Sequence, residues 1–302
     1  MSFEIIIPFL RPIQELLESA TISEIMVNPD GSVWIEESGQ IRSMPDIQFE
    51  DGALQTGLEV IANRFGKKLD ADSPILNLRL PDGSRMAAMI PPVVNPRPLV
   101  TVRKFTSAGL TRDDLVRVGM LTEKQAAILT NAIQQGKNIL IAGSTGSGKS
   151  TLLGVLADAI PEQERILLIE DTAELHIRKP HIVSTESQVD THRNHVTFDD
   201  LLKAVLRHRP DRIIVGEVRG PEARTLLDAM NTGHRGTLAT IHANGPEEAL
   251  HRLATLAMRA GAAPDMSVVR EEVRRCLDIV VHIERHNGQR RVSKIQELRR
   301  PD

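Results

Sequence analysis

The sequence has few residues that build covalent cross-links or aromatic sites. Its 302 residues include one cysteine, Cys276, one tryptophan and no tyrosine. A single thiol excludes an intramolecular disulfide and also the cysteine clusters of structural zinc sites. We therefore interpret Cys276 as a small buried side chain in a protein of the reducing cytosol.

Long hydrophobic segments are also missing. No stretch approaches the ~18 consecutive apolar residues that a membrane-spanning helix requires. The apolar opening FEIIIPFL is too short and has no basic region before it, so we do not interpret it as a secretory signal. These features predict a cytoplasmic protein.

The charge balance excludes a strongly basic or strongly acidic protein. The formal net charge is -3, and 25% of the residues are charged. The last fifty residues contain a local excess of arginine, but acidic residues are interleaved with it, which favours a solvated and paired face. Direct binding of nucleic acid is therefore not expected.

The first third of the chain predicts a small α+β domain over residues 1–106. Two short β-like runs are each interrupted by a turn signal, NPDG at 28–31 and PDG at 81–83, so each predicts a hairpin. Residues 9–17 and 58–65 repeat apolar side chains at helical spacing. We expect these helices to share one core with the sheet.

The rest of the chain predicts an α/β domain over residues 120–302. Before it, a polar segment flanked by glycines at 107–119 is interpreted as an interdomain linker. Apolar runs of about five residues then alternate with helical segments, as expected for a parallel sheet buried on both faces. The signal Asn287-Gly288 predicts that the domain ends in two antiparallel strands. The predicted parallel strands are NILIAG, RILLIED, DRIIVGE and TLATIH.

The first of these strands runs into the segment GSTGSGKST. Its first eight residues match the phosphate-binding pattern G-x-x-x-x-G-K-[ST], and the segment stands between a predicted strand and a predicted helix, as the pattern requires. Glycines let backbone N–H groups surround a phosphate, and the amino end of the helix adds partial positive charge. The nucleotide-binding residues predicted here are Gly143, Ser144, Thr145, Gly146, Ser147, Gly148, Lys149, Ser150 and Thr151.

Two side chains of this segment have separate expected roles. Lys149 supplies a cation to the β- and γ-phosphates, and the hydroxyl of Ser150 is a ligand for Mg²⁺. Because aromatic residues are so rare, an adenine pocket has to be lined mainly by aliphatic, phenylalanine or cationic side chains.

The acidic residues differ from the common pattern of phosphate-loop enzymes. The strand DRIIVGE has Gly216 where a metal-binding aspartate is usual, which leaves only Glu217 at the end of that strand. The neighbouring strand ends in Glu170, Asp171 and Glu174. Carboxyl ends of parallel strands share one edge of a sheet, so we expect these acids to approach Glu217 and to need a cation, which Mg²⁺ would provide. The predicted metal ligands are Ser150, Glu170, Asp171 and Glu217.

Two histidines lie in Gly/Asn-rich turns around the strand TLATIH. His234 precedes that strand and His242 ends it. One histidine alone would be interpreted as structural. Two of them, both expected at the edge of the sheet that carries the phosphate loop, favour a contact with the γ-phosphate.

These segments together resemble a known family. GSTGSGKST, IEDTAEL, LRHRPDRIIVGEVRG and NTGHRGTLATIHANG are similar to the Walker A, Asp box, Walker B and His box of the ATPases that drive type II and type IV secretion, pilus assembly and conjugation. LPDGSRMAAMIPPV and LVTVRKF resemble the amino-terminal domain of that family. The wording EDTAEL and NTGH is most similar to the VirB/TrbB branch. One cysteine cannot form the four-cysteine zinc module usual in type II secretion ATPases, and the AIRGAP-like helix of pilus-retraction motors is not found.

The resemblance implies a fold, an assembly and a set of roles. It implies a RecA-like ATPase domain in a ring-shaped hexamer that hydrolyses ATP with Mg²⁺ at subunit interfaces. Lys149 and Ser150 would bind phosphates and metal, and Glu170 would polarise the attacking water. Glu217 would support the metal or that water, and His242 would couple the γ-phosphate to the neighbouring subunit.

The resemblance also implies arginines supplied by the amino-terminal domain or by a neighbouring subunit, because charge on the γ-phosphoryl group needs a cation. The candidates are Arg85, Arg103, Arg207, Arg209 and Arg219. Of these, Arg103 is the preferred catalytic candidate.

The expected function is a hexameric ATPase that powers assembly of, or transfer through, a type IV secretion or conjugation apparatus. Its expected partners are further copies of itself and the inner-membrane and coupling components of that apparatus, which would hold it peripherally at the membrane. Alternatives are a type II secretion ATPase, a type IV or Tad pilus ATPase, and a nucleic-acid translocase. A small-molecule kinase is disfavoured because no acceptor pocket is indicated. Whether Glu170 or Glu174 activates water stays open.

Overall fold

The chain folds into two compact units, residues Met1–Ala108 and Gly109–Asp302. A computed structural model describes residues 6–37, 39–104, 110–171, 175, 177–189, 195–261, 265–286 and 288–298. In this described part, no helix is both long and apolar enough to span a membrane.

The first unit contains a six-stranded antiparallel sheet in the order β3-β2-β1-β6-β5-β4. The hairpins predicted at 28–31 and 81–83 are confirmed as β1–β2 and β4–β5. The strands are β1 Ile22–Val27, β2 Val33–Glu37, β3 Gln40–Ser43, β4 Ile75–Arg79, β5 Arg85–Met89 and β6 Leu99–Arg103.

Helices share a core with this sheet, but the one predicted at 9–17 is broken. Two 3₁₀ turns, Ile7–Phe9 and Arg11–Ile13, precede a short helix α1, Gln14–Glu18. Each turn has a proline in its first two positions, and proline disfavours α-helical geometry at the residue before it. The second helix, α2 Ala53–Arg64, buries Leu58 and Ile61 in the core as predicted.

The second unit is built on a seven-stranded sheet in the order β15-β14-β7-β13-β12-β8-β9. Neighbouring strands are parallel except at β14–β15, where the predicted terminal antiparallel pair is confirmed. The strands are β7 Ile139–Gly143, β8 Ile166–Glu170, β9 Ile182–Glu186, β12 Arg212–Val215, β13 Leu238–Ile241, β14 Ile279–His286 and β15 Gln289–Glu297, and a separate pair comprises β10 Gln188–Val189 and β11 His195–Val196.

Helices cover both faces of this sheet, so its central strands are buried throughout. One hydrophobic layer includes Leu129 and Leu152, and the other includes Leu226 and Leu253. The helices are α3 Arg112–Arg117, α4 Glu123–Gln134, α5 Lys149–Ala157, α6 Phe198–Val205, α7 Glu222–Asn231, α8 Pro246–Met258 and α9 Met266–Cys276.

Helix α9 was not predicted from the sequence. Five of its eleven residues are charged, and its apolar residues Val269 and Val273 are buried together with Cys276. Burial raises the pKa of the Cys276 thiol to about 11. The interpretation of this cysteine as a small buried side chain is therefore confirmed.

The segment interpreted as a linker at 107–119 contains helix α3. Thr111 caps it by accepting a hydrogen bond from the N–H of Asp114, whose carboxylate accepts one from the N–H of Thr111 in return. Leu115 is buried in the core of the second unit. The described part of this segment, residues 110–119, thus contains a capped helix with one side chain in that core.

Candidate functional site

The glycine-rich loop 143–150 connects β7 to α5. Gly146 and Gly148 have positive φ angles of 70° and 101°, which side chains with a Cβ rarely adopt. A Cβ on Gly143 would lie 2.6 Å from the carbonyl oxygen of Ile283 and 2.5 Å from the Ser147 hydroxyl oxygen. The glycines of the pattern are therefore required by the backbone of this loop.

Lys149 is buried at the start of α5 and points back into the loop. Its Nζ lies 3.0 Å from the carbonyl oxygens of Gly143 and Ser144 and 3.4 Å from Nδ1 of His242. An ammonium group can only donate, so all three atoms accept. The result is a fixed cation at the amino end of a helix, where anions are favoured.

His242, at the carboxyl end of β13, links this lysine to an acid. Its Nε2 lies 3.0 Å from Oε1 of Glu217, and a carboxylate can only accept. His242 therefore carries its proton on Nε2, and Nδ1 accepts from Lys149. Burial, and then the charge of Lys149, lower the pKa of His242 against the opposing effect of Glu217, so the ring is neutral at pH 7.

Glu217 follows the end of β12 and is held by Arg219. The guanidinium contacts both carboxylate oxygens, Nε to Oε1 at 2.8 Å and an amino group to Oε2 at 2.9 Å. Burial raises the pKa of Glu217, but the contact with Arg219 and the charges of Arg219, His242 and Lys149 together bring it below its ordinary value. Glu217 is thus a carboxylate at neutral pH.

Arg219 also approaches the acid at the end of the neighbouring strand. One of its amino groups lies 3.6 Å from Oδ2 of Asp171. The loop that carries it is fixed by Glu222, whose carboxylate accepts from the N–H groups of Arg219 and Gly220 at 2.7 Å. The sequence predicted that Mg²⁺ would neutralise these acids. In this structure the guanidinium of Arg219, one of the candidate arginines, lies between them and belongs to the same chain.

The position of Glu170, the last residue of β8, gives a reason for Gly216, which stands where a metal-binding aspartate is usual. Its side chain is 3% exposed, and its Oε1 accepts from the N–H of Leu175 at 2.9 Å. A Cβ on Gly216 would lie 3.0 Å from Cγ of Glu170. Gly216 therefore leaves room for the Glu170 side chain on the adjacent strand. Glu174, the other candidate for activating water, lies outside the described residues.

The oxygen donors at this edge fit Mg²⁺ only together with a ligand. Among the described residues, no group of three His, Cys, Asp or Glu side chains is placed to hold a metal ion. Magnesium usually binds one or two protein oxygens together with substrate phosphates and water. The Ser150 hydroxyl next to Lys149 and the carboxylate of Glu217 are oxygen donors of this kind, so the residues fit a metal that arrives with a polyphosphate.

Known proteins similar to this chain identify its family. A family model described as type II/IV secretion system protein matches residues 10–297. The chain belongs to the type II/IV secretion system protein family. The resemblance found in the four motifs is thereby confirmed.

Two similar proteins are named for conjugation and type IV secretion. This secretion-family chain is 39% identical over 290 residues to a probable conjugal transfer protein TrbB of Sinorhizobium fredii, covering 94% of this chain and 85% of the relative. It is 34% identical over 316 residues to the type IV secretion system protein PtlH of Bordetella pertussis, covering 93% and 90%.

Solved structures show the same architecture. The VirB11 ATPase of the Brucella suis type IV secretion system, in complex with sulphate, is 26% identical with a TM-score of 0.54, and 97% of each chain is covered. The pilus retraction motor PilT with bound ADP is 21% identical with a TM-score of 0.68 over 96% of this chain and 83% of that one, which shows a shared fold.

Some predicted site residues of this secretion-family chain lie at the other edge of the sheet. Arg207 and Arg209 precede β12, whereas Glu217 follows it. His234 precedes β13, so the expectation that both histidines lie at the phosphate-loop edge is wrong for His234. Opposite ends of one parallel strand lie at opposite edges of the sheet, so only His242 reaches Lys149.

Arg85 and Arg103, the candidates from the amino-terminal domain, are direct neighbours within the first unit. They face each other across β5 and β6, and Arg79 on β4 lies opposite Arg85. Cross-strand partners share one face of a sheet, and like charges placed this way repel. The sequence analysis missed Arg79, although the hairpin register around 81–83 already pairs it with Arg85.

Proposed function

We propose that this chain is an Mg²⁺-dependent ATPase with a RecA-like phosphate-loop domain, acting as the motor of a type IV secretion or conjugation apparatus. One observation carries the proposal. At the edge of the sheet where the glycine-rich loop opens, Lys149, His242, Glu217 and Arg219 form a continuous chain of contacts. A lysine cation, a carboxylate and a guanidinium are groups that can serve a reacting γ-phosphate and its water, and His242 connects them.

On nucleotide binding, phosphate oxygens would replace carbonyl oxygens of the loop as hydrogen-bond partners of Lys149. The N–H groups of Lys149 that reach the carbonyl oxygens of Gly143 and Ser144 would turn to phosphate oxygens, which bind an ammonium more strongly because they are charged. Ser150 and the nearby carboxylates would hold Mg²⁺, which neutralises phosphate charge when bound. Thr151 and the loop amides would complete the cradle.

Water activation is assigned to Glu170. The buried carboxylate accepts from the N–H of Leu175, and its side chain occupies the space that Gly216 leaves on the adjacent strand. A buried carboxylate is a better base than an exposed one because burial destabilises its charged form. Glu217 would orient the water or the metal, and His242 would transmit the state of the phosphate from Lys149 to Glu217 and Arg219.

We further propose that the motor is a hexamer. Arg207 and Arg209 lie at the edge away from their own loop, so they can reach a nucleotide only on a neighbouring copy. The paired arginines Arg85 and Arg103 of the first unit are the other cations proposed for the γ-phosphate, with Arg103 as the catalytic one. Relatives named as conjugal transfer and type IV secretion proteins support the placement in such a machine. We propose that partner components hold it at the cytoplasmic side of the inner membrane.

The alternative of a nucleic-acid translocase has no supporting observation. Its motivation was the arginine excess near the carboxyl end of the chain, together with the relation of conjugation to DNA transfer. Arg274 pairs with Glu247, and Arg291 pairs with Glu284, each at 2.6 Å. Part of the excess is thus already neutralised within the chain.

The proposal is tested by steady-state ATPase assays of variants. Lys149→Ala and Glu217→Gln are each expected to lower turnover ~10³-fold or more, because each removes a charged group from the γ-phosphate region. Glu162→Gln is the matched control, since Glu162 is an exposed residue in the connection before β8, at the other edge of the sheet. Wild-type turnover in both Lys149→Ala and Glu217→Gln would refute this assignment of the site.

A further inference from the structure

The order of the strands indicates on which side of the loop each end of a bound nucleotide would lie. Around the loop that follows β7, the groups suited to the γ-phosphate come from β13, β12 and β8, which all lie on one side of β7. On its other side lie β14 and β15. If the γ-phosphate points toward Glu217, the adenosine half has to leave the loop on the side of β14 and β15.

One side chain of β15 already contacts the loop on that side. Nε of Arg290 donates to the carbonyl oxygen of Gly146 at 3.1 Å. A Cβ on Gly148 would lie 3.2 Å from Cδ of Arg290 and 3.0 Å from Cε of Met120. Arg290 and Met120 therefore flank the loop at its two positive-φ glycines.

The fold holds this part of β15 firmly. The N–H of Val292 donates to the carbonyl oxygen of Met120 at 2.8 Å, and the Gln125 amide donates to the carbonyl oxygen of Val292 at 3.0 Å. Val292 is buried in the same layer as α4 and α5. Side chains two apart in a strand share a face, so Arg290 extends from the face of the sheet that carries the loop helix.

Arg290 differs from its neighbour Arg291 in its interaction partners. Arg291 points to the opposite face and pairs with Glu284. Arg290 has no acidic partner among the residues that the structure describes, and its contact with Gly146 uses only Nε. The plane of its guanidinium and its two amino groups are available to a ligand.

We propose that Arg290 forms one wall of the adenine pocket, with its guanidinium plane stacked on the base and Met120 beside it. A guanidinium stacks on aromatic rings, and a thioether packs well against their edges. This matches a chain with no tyrosine and one tryptophan, which has to line such a pocket with other side chains. The inference rests on the proposed function, because it requires that the loop binds a nucleotide.

The test compares two ligands that share the phosphates and differ in the nucleoside. Equilibrium binding of a non-hydrolysable ATP analogue and of inorganic tripolyphosphate, each with Mg²⁺, is measured by calorimetry on the full chain. Arg290→Ala is expected to weaken the ATP analogue about tenfold, the effect of one lost stacking contact, and to leave tripolyphosphate within about twofold. Arg291→Ala is the matched control and is expected to change neither.

Each other result contradicts the proposal in an identifiable way. Equal weakening of both ligands by Arg290→Ala would mean that the residue only shapes the loop through Gly146. Unchanged binding of the ATP analogue, or full binding by Arg290→Lys, which keeps the charge without the plane, would exclude stacking. Failure of the wild-type chain to bind either ligand would overturn the proposed function and this inference together.

Discussion

Lys149 and His242 constrain each other's protonation. The ammonium needs an acceptor at Nδ1, and a second proton on the imidazole would place two cations 3.4 Å apart. The neutral ring donates a hydrogen bond from its own N–H, on Nε2, to Oε1 of Glu217. Nucleotide binding would therefore alter this pair, because a phosphate that attracts the ammonium of Lys149 would weaken its hydrogen bond to Nδ1 of His242.

A histidine titration tests this coupling. In the nucleotide-free protein, His242 is expected to titrate below its ordinary pKa of 6.5, because burial and the charge of Lys149 both disfavour its cation. Lys149→Met is expected to raise that pKa, and Glu217→Gln to lower it further. The measurement is NMR of labelled histidines between pH 5 and 8, with His242→Gln used to assign the signal.

The same shift affects folding stability with a definite sign. The folded protein binds this proton less readily than the unfolded chain does, so its contribution to stability is present above pH 6.5 and is lost as the pH falls through the folded pKa. A His242 pKa at or above 6.5, or one insensitive to Lys149→Met, would contradict the proposed pairing.

At the scale of elements, the ends of β8 and β12 pack closely because Gly216 has no side chain. Backbone pairing places Gly216 beside Ile169 and Glu170, and Glu170 fills the volume that a side chain at 216 would take. Both strands bring their acids to one edge because they are parallel and adjacent. The fit fixes the position of the proposed base.

Gly216→Ala is expected to disturb that fit selectively. The new Cβ would lie 3.0 Å from Cγ of Glu170, so the carboxylate has to move by a few tenths of an ångström or more. Misplacement of a reacting group lowers turnover by up to ~10²-fold, whereas nucleotide affinity should remain near that of the wild type. ATPase assays and calorimetry measure the two effects separately.

Gly154→Ala provides the control for this change. Gly154 lies inside α5, and its nearest neighbour for a new Cβ is 3.9 Å away, so alanine fits there and favours the helix. Its turnover should match the wild type. Full activity of Gly216→Ala would mean that Glu170 does not have to sit where the structure places it.

At the scale of the whole molecule, the second unit carries two predicted cations, Arg207 and Arg209, at the edge of the sheet opposite to its own loop. Arg209 is exposed at the far edge of the sheet, and its φ of 53° is unusual for a residue with a side chain. Its guanidinium lies 3.7 Å from a carboxylate oxygen of Asp211 and stays largely exposed, so another molecule can reach it. A ring would bring such arginines to a neighbouring nucleotide.

The assembly is tested by measuring mass in solution with and without a non-hydrolysable ATP analogue. One chain has a mass of 33.4 kDa, so six copies give about 200 kDa, the species expected in the presence of the analogue. Specific ATPase activity should rise with protein concentration in the range where the assembly forms. Lys149→Ala is the reference and should not respond to the analogue. A single-chain mass at every concentration would exclude catalysis between subunits.

Much of this protein was predictable because its signals are local. The loop 143–150 needs only glycines, a lysine and a hydroxyl in order, and a buried parallel strand needs only a short apolar run. The hairpins at 28–31 and 81–83 follow from turn residues that any sheet requires. The four motifs were also enough to predict the family, because each is a contiguous segment.

Only the tertiary structure decided which distant side chains meet. Arg219 lies between Glu217 and Asp171, and Glu170 fills the space at Gly216, because the sheet places β8 next to β12 although they are far apart in sequence. The sequence analysis placed His234 at the wrong edge although it predicted parallel strands, because a residue before such a strand lies at the edge opposite to a residue that follows it. The residues of the chain thus determine the loop, and strand order and direction determine which charges surround it.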